Sequence, residues 1–372
     1  MYRYPLPIIG VVLVLLTVAL VAWRFVSIKS TGIPHGPAMR LSKHIVQIIR
    51  TTERYLPTLH RNPDKDRFRL DLLVISLDDP TKQETITLIR QQDRNALQPM
   101  TKILGSDGNV VWVQALDLFA VNLETKGLLR LSDLKKLNPE LEVFLSSARF
   151  DFEARLIAVS PDRQQAYAFP ADSFKATPCL APRRIEWPNP SIDVNDWLCA
   201  GMVFTRGEWF GALTTKDLTS NYKPGGWLPV DFPVNPKTEA RHLYRGPLPA
   251  GDVRSRSPEL EQTSKTEFRD AAFIRSARGK AALRLSAPDS VLLTYRSAVA
   301  PKGTLQVARI HPSGQVHWTA DTGIGALHQI LPDASVMVFV GERPPIPNKV
   351  SEPILVCVNT TTGTTNTISL WR

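Results

Sequence analysis

Only three cysteines occur in 372 residues, which excludes a disulfide-dense scaffold and a multi-cysteine zinc or iron–sulfur protein. Phosphate-cradling loops of the Gly-x-Gly-x-x-Gly or Walker type are missing, so nothing in the chain points to nucleotide use. Gly-x-Ser-x-Gly, the strand-to-helix turn that presents a nucleophilic serine, is missing too. What is present is globular: 43% hydrophobic and 22% charged residues give enough apolar surface to offset chain entropy, which excludes a disordered or collagen-like chain. Thirty prolines and twenty glycines call for many turns.

Leu6 to Trp23 forms one apolar run of 18 residues in which Thr17 is the only polar side chain, and no later run approaches that length. At 1.5 Å per residue a helix of this length spans roughly 27 Å, close to the hydrocarbon core of a bilayer. Tyr2, Tyr4 and Trp23 stand at its ends as interfacial anchors. A cleaved signal peptide is the rival reading, but Leu20 and Ala22 ahead of Trp23 make a poor small-x-small site. We therefore read residues 1–29 as a retained transmembrane anchor and residues 30–372 as one exported domain. The charges of Arg24, Lys29, Arg40 and Lys43 argue for the opposite orientation, yet long domains translocate largely regardless of charge.

Beyond the linker Ser30–Pro37 the chain reads as strands and turns. His44–Thr52 and Phe68–Leu77 are short β-branched runs, although Leu41, Ile45 and Ile48 also share a helical face. One segment looks helical, with Ser132 or Asp133 capping a turn that holds Leu134 and Leu137 before Pro139; it reads as a surface insertion. Two patterns recur. Gly-x-Val-x-Trp follows a polar turn at Gly108–Trp112 and at Gly314–Trp318, where glycine supplies positive φ and Val and Trp, two apart, share a buried face. Val-Asn-x-x-Thr ahead of glycine closes a strand at Val121–Thr125 and again at Val358–Thr362.

Spacing turns these patterns into an architecture. Gly314 and Gly363 lie 49 positions apart, and Val74 and Phe119 lie 45 apart. Units of roughly 40–50 residues give seven or eight four-stranded blades, the size of a β-propeller. A strand near Ile45–Arg50 or Arg69–Leu77 is expected to pair with Thr367–Trp371 and close the ring. A β-sandwich or a pair of smaller β-domains is the alternative. Asn221–Lys280, with seven prolines and the charged stretch Arg254–Lys265, breaks the pattern and reads as an insertion over one face or as a strand pair with long loops.

The strands ending in Asp-Gly or Thr-x-Gly turns resemble quinoprotein-type propeller blades in a generic way. Lys65–Asp79, Asn109–Leu141, Arg309–Asp333 and Ile354–Leu370 resemble more closely a proteobacterial family of membrane-anchored, β-propeller-like proteins. The resemblance implies a tethered propeller-like domain without an assigned activity, and no catalytic or cofactor residue is carried over. The quinone-binding pattern, an adjacent cysteine pair with an acidic calcium constellation, is lacking.

Candidate chemistry is sparse. Cys179 and Cys199 either close a disulfide or stay as two thiols, and Cys357 within Ile354–Val358 belongs to a core. His311, His317 and His328 lack metal-ligand spacing, though the first two are placed to face each other across the Gly314 turn. Ser313, Asp78 and Asp79 fit turn chemistry. Trp187, Trp197, Trp209 and Trp227 either line a cleft or pack. The net charge is +10, of which Arg3, Arg24 and Lys29 flank the apolar run. The remainder concentrates at Arg183, Arg184, Arg254 and Arg256, a candidate patch for an anionic partner. The expected function is a non-catalytic binding or scaffold module of the bacterial envelope, without catalytic, cofactor or metal residues and without nucleic acid. Its partners would be the inner membrane, through the helix, and an envelope protein or an anionic ligand. An envelope hydrolase with a site on the propeller axis or under residues 221–280 is the alternative.

Overall fold

The computed structural model describes residues 31–41, 43–53, 67–93, 101–181, 194–199, 201–205, 208–214, 240–247, 260–276, 282–283, 285, 290–299, 302–347 and 349–371. The expected span Leu6–Trp23 lies outside them, and among the described residues no helix is long and apolar enough to cross a membrane.

The chain is all-β. Its strands form five antiparallel sheets in chain order. Sheet I holds Thr31–Pro34, Met39–Arg40, His44–Glu53, Arg67–Ser76 and Gln83–Asp93. Sheet II holds Lys102–Asp107, Val110–Gln114, Leu118–Asn122 and Leu128–Arg130, and sheet III runs from Arg149–Glu153 to Thr177–Pro178. Sheet IV has nine strands between Leu198–Cys199 and Val316–Asp321, and sheet V runs from Ala326–Leu331 to Thr365–Ser369.

The central strands of the sheets are buried on both faces, which is why they read as largely apolar runs rather than as alternations. In His44–Glu53, Val46 and Ile48 pack toward sheet II, whereas Ile45 and Ile49 pack toward sheet V. Sheet II repeats the device: Val111, Val113, Phe119 and Val121 face sheet I, and Val110, Trp112, Leu118 and Ala120 face sheet III. In sheet V, Ile354, Val356 and Val358 meet sheet IV, while Leu355 and Cys357 meet sheet I. Burying each such Val, Leu or Ile contributes about 1.5–3 kcal/mol relative to exposure.

Several expectations change. The last strand, Thr365–Ser369, pairs with Pro353–Asn359, and His44–Glu53 pairs within sheet I, so among the described residues no shared sheet joins these strands. Sheets I and V instead meet face to face, since both already have their own full set of strands. Of the two readings of 221–280, the strand pair fits the described part: residues 240–247 and 268–274 are strands of sheet IV and not an insertion over it. The strand Ala240–Pro247 divides there: Tyr244 and Arg245 pair with Glu261–Gln262, while Ala240 and Arg241 pair with Phe268–Ile274. Sheet IV is thus two meanders joined through Ala240–Pro247, one of four strands and one of five that includes Leu198–Cys199, packed together through Val203, Phe210, Phe273 and Leu293. Six antiparallel units of four or five strands result among the described residues, against the seven or eight expected.

The repeats fare differently. Gly108 and Gly314 have the expected positive φ, 57° and 87°. Val110 and Trp112 share a buried face, but Val316 is 41% exposed. The asparagine turn repeats in full: Asn122 Oδ1 accepts the N–H groups of Glu124 and Thr125, and Asn359 Oδ1 accepts those of Thr361 and Thr362. Both turns join the third and fourth strands of their sheets. The helical segment, Leu131–Leu137 followed by Glu142–Ser147, is no surface insertion: Leu134, Leu141 and Leu145 are buried between sheets II and III. Asp133 accepts the N–H of Arg130 at its start.

Candidate functional site

Two features bring chemistry together, one on either side of sheet II. The first is a cleft of about 500 Å³ between sheets I and II, lined by Leu88, Ile89, Arg90, Leu116, Asp117, Phe119 and Arg130. Arg90 comes from Gln83–Asp93, whose pairing with Arg67–Ser76 shifts register twice, between Phe68 and Leu70 and between Leu70 and Asp71. Such bulges bend a strand and re-aim its side chains. Here the consecutive residues Leu88 and Ile89 are both buried and Arg90 is left exposed. Arg130 stands opposite Phe119 in the neighbouring strand of sheet II, and its guanidinium lies 5.9 Å from the centre of the Phe119 ring. Leu116 and Asp117 sit on the tight turn between Val110–Gln114 and Leu118–Asn122, closed by a 2.8 Å bond from the Ala115 N–H to the Asp117 carbonyl. Leu116 is 44% exposed at that tip.

The second feature is a coupled pair at the seam of sheets II and III. Burial lowers the Lys102 amine to about 8, against the opposing pull of Asp151. Burial likewise pushes the Asp151 carboxyl above its ordinary range, although its oxygen accepts the Phe152 N–H at 2.7 Å. Lys102 and Asp151 lie on the first strands of their sheets.

The residues singled out in the sequence do not gather at either place. Arg183, Arg184, Arg254 and Arg256 lie outside the described residues, as do Trp187 and Trp227. Trp197 packs against the core between sheets IV and V. Cys179 and Cys199 carry thiols, with no disulfide between them. Cys179 packs beside Ile157 and Val159 of sheet III, whereas Cys199 is buried with Phe210 and Phe273 in sheet IV. Cys357 is a core residue, and its burial pushes the thiol up to about 11. His311 and His317 face each other across the turn with ring centres 6.3 Å apart, and the Ser313 hydroxyl lies 2.8 Å from His311 Nδ1 at the same exposed tip. His328 pairs with Glu342 at 3.2 Å. Among the described residues no group of three or more His, Cys, Asp or Glu is placed to hold a metal ion. Asp79 accepts the Thr81 N–H in a turn. Sequence reasoning missed Arg90, Phe119 and Arg130. The available signal was the polar break after the Leu88-Ile89 pair together with an arginine opposite a buried phenylalanine.

Fold and cleft together define an all-β protein of antiparallel meanders stacked face to face, with a ligand-sized recess between two of them. No family model and no curated protein sequence matches the chain. Among solved structures it is similar to the β-propeller domain of the Trilobed protease from Pyrococcus furiosus, at 9% identity over 91% of this chain and 97% of that one, with a TM-score of 0.32. It is also similar to the Pyrococcus horikoshii acylaminoacyl peptidase, at 11% identity over 91% of this chain and 51% of that one, with a TM-score of 0.25. A putative 6-phosphogluconolactonase from Bacteroides uniformis matches at 10% identity over 87% of this chain and 82% of that one, with a TM-score of 0.23. The chain spans about half the length of the peptidase. None of these likenesses carries an activity to it.

Proposed function

We propose that the chain is a membrane-tethered binding module of the bacterial envelope, built as a β-propeller on residues 30–372 behind an inner-membrane anchor at residues 1–29, in a proteobacterial family of that design. The cleft between sheets I and II carries the binding reading, because cations and an apolar floor meet in a recess of ligand size. Stacking in chain order supports the propeller: sheet I packs on II, II on III, the halves of IV on each other, IV on V, and V on I. The apolar run Leu6–Trp23 supports the anchor; the exported position rests on long domains translocating largely regardless of charge.

A photo-crosslinking residue at Leu116, compared with one at Val143, which is 86% exposed and does not line the cleft, tests the binding reading. Crosslinking of a partner at Leu116 well above the Val143 level is expected; equal levels defeat it. A C-terminal periplasmic reporter fusion is expected to be active, and an inactive one reverses the orientation.

The Lys102–Asp151 pair favours a second reading, an envelope enzyme using an amine with lowered proton affinity beside a carboxyl with raised affinity. A hydrolase screen in which Lys102→Met abolishes any activity found would turn the conclusion toward it.

A further inference from the structure

Two guanidinia, one carboxylate and an apolar floor meet in the cleft between sheets I and II. We infer that it captures the C-terminal end of an extended peptide whose last side chain is large and apolar. This deepens the binding reading above and rests on it.

Each part of such a terminus has a counterpart. The terminal carboxylate suits arginine, whose planar fork matches two carboxylate oxygens at once. Arg130 is already stacked on Phe119, so less side-chain freedom is lost when it engages a ligand. Arg90 is exposed on the opposing sheet, where the two bulges place it on the cleft wall. The apolar side chain suits the floor of Leu88, Ile89 and Phe119, with Leu116 at the mouth. Leu116 stands 44% exposed on the tight turn, where it can cover part of a bound apolar side chain.

Asp117 selects among anions. The carboxylate of a fatty acid brings negative charge toward it and no donor. An extended peptide brings backbone N–H groups, which a carboxylate accepts. A cleft of about 500 Å³ takes a terminal residue and part of the one before it. Capture of a C-terminal carboxylate is one of the recurring modes of peptide recognition.

The test uses the full chain in lipid nanodiscs and a fluorescein-labelled pentapeptide ending in phenylalanine, as the free acid and as the C-terminal amide, read by fluorescence anisotropy. Saturable binding of the acid is expected, with the amide about tenfold weaker or more. Arg90→Gln and Arg130→Gln should each weaken the acid by about tenfold while leaving the amide unchanged. Because Arg130 precedes a helix, Arg90→Gln on the edge strand serves as the variant less exposed to folding defects. Equal binding of acid and amide, or unchanged binding in both variants, overturns the inference. If Leu116 crosslinks a partner while acid and amide bind alike, the ligand class falls and the binding reading stands. If Leu116 crosslinks no more than Val143, the binding reading itself falls.

Discussion

Gln329 clasps Ala38: its side-chain oxygen accepts the Ala38 N–H at 2.9 Å, and its amide nitrogen donates to the Ala38 carbonyl at 2.9 Å. A side chain thus does what a strand partner would do, across 291 positions of sequence, where sheet V meets sheet I. Arg40 reinforces the seam with a 3.1 Å ion pair to Asp333. Burial alone would raise the Asp333 carboxyl, but hydrogen bonds from Ser335 and the charge of Arg40 hold it below its ordinary range.

Gln329→Ala should destabilise the chain by on the order of 3 kcal/mol, because both polar groups of the buried Ala38 backbone lose their partner. Gln329→Glu should cost more at neutral pH, where a carboxylate faces the Ala38 carbonyl, and less as acid restores a donor. Urea unfolding at two pH values reads both effects; unchanged midpoints would remove the clasp from the closure.

Gly363→Ala and Gly108→Ala form a matched pair. Both glycines have positive φ, 77° and 57°, where a side chain costs roughly 1 kcal/mol. A Cβ at Gly363 would lie 2.7 Å from the Trp318 ring, whereas one at Gly108 meets nothing within 4 Å. The Gly363 variant should therefore lose clearly more stability in thermal unfolding, and equal losses would mean that Trp318 does not bear on that turn.

Lys102 sets a pH dependence. With its folded pKa lowered to about 8, the unfolded chain holds a proton that the folded chain has released between pH 8 and about 10.4. That contribution to stability therefore rises with pH across this window and is flat below it. Lys102→Met should remove the rise when unfolding free energies at pH 7.5 and 10 are compared with wild type; an identical slope in the variant rules the group out.

The thiols make a simple check. Reductant should leave the melting temperature unchanged, since Cys179 and Cys199 are not bonded. In the native state an alkylating reagent at pH 8 should modify the half-buried Cys179 first, with Cys357 protected by burial and a thiol pushed to about 11. Early labelling of Cys357 would show that the seam between sheets I and V opens readily.

Local signals carried the strands well. Ile354–Val358 and Leu72–Ile75 are continuous apolar runs because each is buried on two faces, and the asparagine turns follow from one side chain bonding its own backbone. What local signals could not carry was pairing at a distance. Gln329 looks like a polar residue in an apolar strand until Ala38 is placed beside it. Likewise Arg90 enters the cleft only through bulges that depend on its partner strand, and the division of Ala240–Pro247 between two neighbours has no mark in its sequence.

Closure by two finished faces has a consequence for synthesis. The face of sheet I formed by Ile45, Ile49, Leu73 and Ile75 is made first and covered last, by Leu355, Cys357, Ile368 and Leu370. At about 5–20 residues per second, a ribosome needs roughly 15–60 s to travel from Ala38 to Gln329. Throughout that time the nascent chain displays a greasy surface that its own downstream segments have yet to hide, so a chaperone, or stalling before Pro353, would decide its fate.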